Sequence, residues 1–230
     1  MFQSFILACA LVLVFGDVGI AQEPDRGVFY EEGPLNSLAV VIGPELKGSI
    51  AAMEAGDYFA AAAELRDLVY RDSTHVQALR LLASAFGHMG DYVQAIDVCR
   101  RLTQLNSVDA GVEVALGFFH QKLGDFEGAE QHYRQGLMRD KKVIQAYQGL
   151  GWIYLQQGRL EQALDMVTET TERAPNYAPN YLLMGRILTA QGFFEDAVVA
   201  YQRTFSLEGT LRKQYGILLQ ELQLRHHLRR

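Results

Sequence analysis

Few residues of this 230-residue chain are of types, and at spacings, that do chemistry. His226 and His227 stand side by side in a basic C-terminal tail. An adjacent pair lacks the i, i+4 spacing that puts two imidazoles on one helix face for a metal, so it reads as a solvated tail. The only thiols are Cys9, in an N-terminal apolar run, and Cys99, on an apolar helix face. A thiol in the second setting is a small, inert core residue, because reactivity needs exposure and a lowered pKa. If the N-terminal run is removed, no intramolecular disulfide is left. The chain has no Gly-rich phosphate loop ending in Gly-Lys-Ser/Thr, no His-Glu-x-x-His, no Cys-x-x-Cys and no Gly-x-Ser-x-Gly. Its acidic residues are spread along the chain. No catalytic residue, metal ligand or cofactor-binding residue is therefore assigned. The expectation is a protein that is not an enzyme, needs no cofactor and takes no small-molecule substrate.

What remains is recognition by surface. Twenty-seven acidic residues against 21 basic ones give a formal charge of -6. That balance excludes nucleic acid as a main partner, since phosphate binding needs a concentrated basic face. Apolar residues make up 49% of the chain, which supports a folded core.

The elements that would carry such a surface follow from a repeat. Gly56, Gly90, Gly124, Gly158 and Gly192 recur with one spacing of 34 residues. Five residues after each glycine stands an alanine: Ala61, Ala95, Ala129, Ala163 and Ala197. Seven residues before each the side chain is small: Ser49, Ala83, Gly117, Gly151 and Gly185. The large apolar Leu82, Leu116, Leu150 and Met184 come one residue earlier, with Gly48 as the exception. Each unit reads as two helices joined by a tight turn. The recurrent glycine closes the first helix in the left-handed conformation. The small residue and the alanine mark where the two helices approach closely. The aromatic residue or leucine two places after the glycine is expected to pack back on the first helix. Gly149-Leu150-Gly151 is explained by close helix packing.

These positions resemble the tetratricopeptide repeat. The resemblance implies an all-α fold, a right-handed α-solenoid of antiparallel helix pairs. Its units would run 42–75, 76–109, 110–143, 144–177 and 178–211, with a capping helix and basic tail over 212–230. Unit one lacks the large residues expected early in its first helix, where Glu45 and Gly48 stand, and reads as a degenerate cap starting at Pro44. His120 stands where the family usually has tyrosine, and reads as a packed, satisfied side chain. The resemblance further implies a concave groove lined by the first helices. The groove residues nominated for partner binding are Arg80, Ser84, His88, Phe118, Lys122, Gln148, Trp152 and Arg186. Phe118 and Trp152 serve either as anchors for a partner or as packing between neighbouring units. Leu46, Ile50 and Leu81 occupy places where the family's carboxylate clamp has polar groups, which argues against that clamp.

The N-terminus carries an address. Phe5 to Phe15 is an unbroken apolar run, too short to span a bilayer comfortably. Gly19-Ile20-Ala21 places small residues where a signal peptidase reads them. Residues 1–21 are expected to form a signal peptide, or an uncleaved anchor over 5–20, and 22–41 a lead-in segment. The expected protein is an exported, periplasmic or secreted, non-catalytic scaffold that binds a peptide or partner helix in its groove. The alternative is a structural protein, which would be a homo-oligomer, that self-assembles through its solenoid ends or convex face. Membrane contact is expected only if the N-terminal segment is uncleaved.

Overall fold

The computed structural model describes residues 43–106, 108–211, 216, 219 and 220. The signal segment 1–21, the lead-in 22–41 and most of the capping segment 212–230 lie outside the described residues. Within them the secondary structure is helical throughout. A 3-10 turn, Pro44–Leu46, leads into α1 (Lys47–Glu54) and α2 (Tyr58–Arg71). The following units are α3 (Val76–Met89) with α4 (Tyr92–Gln104), and α5 (Ala110–Lys122) with α6 (Phe126–Arg139). Then come α7 (Ile144–Gln156) with α8 (Leu160–Arg173), and α9 (Ala178–Gln191) with α10 (Phe194–Leu207). The fold is an all-α solenoid of helix pairs. Unit one is the short one, its first helix being 8 residues where the later first helices have 13 or 14.

The turns explain the 34-residue period. All five recurrent glycines have positive φ, between 72° and 84°. After each glycine the next N–H donates to the carbonyl five residues back, as from Asp91 to Phe86 at 2.9 Å and from Arg159 to Tyr154 at 2.8 Å. This is the six-to-one bond that ends a helix through a left-handed residue. In the first three units that next residue is an aspartate that also caps the second helix: Asp57, Asp91 and Asp125 accept from the N–H of Ala60, Gln94 and Gly128. One dipeptide thus ends one helix and starts the next.

In units three and five the small position sits at a close approach, whereas Gly151 in unit four has ordinary room. Tyr133 of α6 is fully buried, and a Cβ on Gly117 would stand 2.8 Å from its ring. Tyr201 of α10 lies over Gly185 in the same way, a Cβ there being 3.0 Å from the ring. In unit two, alanine stands at the small position and Cys99, fully buried, at the facing one. Glycine is thus matched to tyrosine and alanine to cysteine, which keeps the volume between paired helices filled. Each Leu, Ile or Phe buried here, such as Leu79, Ile153 or Phe119, contributes about 1.5–3 kcal/mol.

Each first helix packs on the second helix of its own unit and on that of the unit before. In addition α5 touches α7, and α7 touches α9, whereas no two second helices are in comparable contact. The stack is closest along its first helices, so these form its concave side. At the far end Leu219 packs against the last cluster, formed by Leu188, Ala197, Ala200 and Tyr201.

Candidate partner-binding groove

The eight nominated residues fall on the first helices α3, α5, α7 and α9, but they divide into two groups. Arg80, Ser84, Phe118 and Gln148 are buried, at 8%, 3%, 5% and 5% exposure. His88, Lys122, Trp152 and Arg186 are half-buried.

The buried group joins units. The guanidinium of Arg80 donates to Asp109 at 2.8 Å, fixing the residue that caps α5. Burial pushes the Asp109 carboxyl up, but the hydrogen bonds from Arg80 and the Val112 N–H outweigh it and hold it below the usual carboxylate range. Gln148 Nε2 donates to Asn180 Oδ1 at 2.5 Å, and Asn180 Nδ2 donates to the carbonyl of Thr170 at 2.9 Å. Both amides are buried, so α7, α8 and α9 are tied by a satisfied polar bridge. These four nominated residues are thus buried, and Arg80, Gln148 and Phe118 each meet a residue of a neighbouring unit.

The two aromatics differ in their surroundings. Phe118 meets Tyr92 of the preceding unit edge-on at 6.2 Å, and Lys122 Nζ lies 5.1 Å from its ring centre. It is an inter-unit packing residue. Trp152 meets Phe126 edge-on at 5.8 Å, so it too is held by the preceding unit, yet it remains half-buried. The same relation recurs at the N-terminal end, where Tyr58 stacks on His88 at 4.3 Å. Burial lowers the His88 pKa, favouring a neutral ring in that stack. The aromatic two residues after each glycine was expected on its own unit. Phe194 does pack against its own unit's cluster, which includes Leu188 of the first helix, while Tyr58, Tyr92 and Phe126 also make ring contacts forward to the first helix of the next unit.

On α7, Trp152 and Gln156 lie one turn apart and share a face. Gln156 Nε2 is enclosed and has no hydrogen-bond partner among the described residues. On the neighbouring first helix, Leu182 and Arg186 are also half-buried. The concave side is therefore most open toward units four and five.

His120 is satisfied, as expected: its Nδ1 lies 2.7 Å from Asp125 Oδ2, and its ring stacks on His132. Two polar clusters had no signal in the repeat pattern. Glu113, buried, meets His132 at 3.0 Å and accepts from Arg139 at 3.2 Å. Glu130 pairs with Arg134 at 2.7 Å and with Arg159 at 3.0 Å, and accepts from the Tyr154 hydroxyl at 3.1 Å. Arg159 stands where the first three units have the capping aspartate. It gives up that cap and reaches back to the preceding unit. Among the described residues no group of three or more His, Cys, Asp or Glu is placed to hold a metal ion. No helix of the described residues is long and apolar enough to cross a membrane.

Comparison with known proteins agrees with this architecture. Residues 74 in number align at 40% identity with cellulose synthase operon protein C of Xanthomonas axonopodis pv. citri (strain 306). The aligned stretch covers 32% of this chain but spans only 5% of that relative's length. Among solved structures, MamA is similar with a TM-score of 0.63 and 18% identity, over 76% of this chain and 99% of MamA. PilW, described as a widely conserved type IV pilus biogenesis factor, gives 0.65 and 17%, over 71% of this chain and 76% of PilW. YrrB, described as having an unusual peptide-binding site, gives 0.57 and 16%, over 72% of this chain and 86% of YrrB. At such identities these structures speak for the fold alone. Family models described as tetratricopeptide repeat match residues 46–110 and 120–187, together more than half of the chain. The chain therefore belongs to the tetratricopeptide-repeat family, an architecture that serves as a scaffold for protein–protein interaction.

Proposed function

We propose that this protein is a non-catalytic scaffold of the cell envelope or secretory compartment that holds a peptide or partner helix in its concave groove, in units four and five. Trp152 is the anchor, Gln156 supplies a hydrogen-bond donor, and Lys122 and Arg186 flank them. The observation that carries this reading is the pairing of a half-buried Trp152 with an enclosed, unpartnered Gln156 Nε2 one turn away. An aromatic anchor beside a lone polar donor is what an extended segment engages. Arg80, Ser84, Phe118 and Gln148 shape the groove from behind, and His88 lines its N-terminal end. The envelope setting draws on the Phe5 to Phe15 run and on the printed names of the cellulose synthase operon relative and of PilW.

Cross-linking pull-down from the native compartment tests the groove, comparing wild type with a Trp152→Ala variant shown by circular dichroism to be folded. Partners should be lost from the variant. Recovery of the same partners at the same yield from both proteins defeats the reading. Intact mass of the mature protein tests export: a start at Gln22 supports it, and a start at Met1 counts against a cleaved signal.

One observation favours a second reading, self-assembly. Phe59 and Tyr70 on α2 are 74% and 89% exposed, and Val93 on α4, also exposed, stands at the same repeat position as Phe59. A homo-oligomer that dissociates on Phe59→Ser and Tyr70→Ser, while Trp152→Ala is silent, would favour it.

A further inference from the structure

We propose that the groove's ligand is an acidic segment of a partner protein, with Asp or Glu on either side of a hydrophobic anchor. This rests on the groove reading above and adds the chemistry of what fills it.

Carboxylates are unevenly placed between the first and second helices of units two to five. The first helices α3, α5, α7 and α9 carry one carboxylate between them, Glu113. It is 4% exposed and already held by His132 and Arg139. The second helix α8 alone carries Glu161, Asp165, Glu169 and Glu172. In a chain of net charge -6, the concave side is thus the one from which carboxylates have been kept away.

Cations remain there. Lys122 on α5 and Arg186 on α9 lie on the helices either side of Trp152, on α7. Neither has a carboxylate within ion-pair distance among the described residues. Arg80 differs, its charge being met by Asp109 within the chain. The lysine ammonium, the guanidinium and the Gln156 Nε2 are all donors. Two cations beside an unpartnered amide N–H are matched by carboxylates and backbone carbonyls. A basic segment would set donor against donor, and a neutral one would leave the two cations without counter-charges. The acidic helix α8 repels an anionic segment from the outer side of unit four, so its field adds to selection for the groove there.

Three pools of fluorescein-labelled peptides test this on the full-length chain by fluorescence polarisation. Each fixes a central Leu and randomises the flanks over Ala, Ser and one charge class: Asp/Glu, Asn/Gln or Lys/Arg. At about 50 mM salt the acidic pool should bind about tenfold more tightly than the amide pool, and at about 500 mM the gap should shrink to about twofold, since exposed pairs are screened. The double variant Lys122→Glu/Arg186→Glu should hand the preference to the basic pool. The milder Lys122→Gln/Arg186→Gln should erase it without reversing it, with melting temperature as the check on folding. Equal binding of the acidic and amide pools, an unchanged preference in both double variants, or no acidic-pool binding up to about 1 mM overturns the proposal. Binding lost on Trp152→Ala but indifferent to charge keeps the groove and sinks only the acidic ligand. Acidic-pool binding that survives Trp152→Ala unchanged sinks the groove itself.

Discussion

The ring of Tyr133 fills the space that a side chain on Gly149 would need, across the boundary between units three and four: a Cβ there would stand 2.2 Å from the tyrosine Cζ. The ring cannot swing away easily, because its hydroxyl donates to the buried Gln121 at 2.8 Å and the residue has no exposed surface.

Gly149→Ala is therefore expected to destabilise the protein by about 1–3 kcal/mol, the usual scale for overpacking a filled core. Gly151→Ala, two residues on in the same helix, should be neutral or stabilising by up to about 1 kcal/mol. Its nearest neighbour, Leu183, lies at an ordinary 3.4 Å, and alanine is the better helix former. Urea unfolding of the two single variants checks this. Equal effects would show that the inter-unit contact is not what glycine at 149 provides.

Arg159→Asp recreates the capping aspartate of the first three units but sets a second carboxylate where Arg159 meets Glu130. In the wild type it should cost about 1 kcal/mol. Against a Glu130→Ala background the same change should stabilise by about 0.5–1 kcal/mol, the worth of a restored cap. A double-mutant cycle by thermal denaturation reads the difference. The same sign in both backgrounds would rule out the exchange of cap for bridge.

Asn180→Leu should destabilise by about 2–4 kcal/mol, since it strands the buried Gln148 Nε2 and removes the second donor from the Thr170 and Ala174 carbonyls, which keep only their backbone N–H partners. Gln148→Met should cost less, about 1–3 kcal/mol, because Asn180 keeps its two carbonyl acceptors, Thr170 and Ala174. Chemical denaturation orders the two, and the reverse order would show that the bridge is not held by Asn180.

Burial pushes the Cys99 thiol up from its ordinary 9.0 to about 12. The folded state then holds its proton where the unfolded chain has lost it. Stability is unaffected by this group below pH 9 and falls as pH rises between 9 and 12, by about 1.4 kcal/mol per unit at most. Comparison of wild type with Cys99→Ala at pH 8 and pH 10 isolates the term: the stability gap should move in favour of the alanine variant by about 1 kcal/mol. At pH 8 the Cys99-containing tryptic peptide should remain unlabelled by iodoacetamide until the protein is unfolded. Rapid native labelling would mean that this side chain is reached by solvent.

The period and its punctuation were legible in the chain because both are local. Each glycine turn is closed by hydrogen bonds spanning five residues, and each aspartate cap by one spanning three, so five glycines at one spacing were enough to place the helices. The small positions were legible only in part: Gly117 and Gly185 do face a tyrosine ring, but Gly151 has room for a methyl group. Which groove residues stay open was decided only by the tertiary structure. Phe118 and Trp152 occupy the same place in consecutive units, yet one is sealed by Tyr92, Phe119 and Lys122 while the other keeps part of its surface. Gln148 looks as available as Gln156 in the sequence, but Asn180, 32 residues away, takes the first and nothing described takes the second. Burial at these positions depends on side chains one unit distant, about 30 residues along the chain, and a 34-residue pattern that fixes the backbone leaves those side chains free to vary.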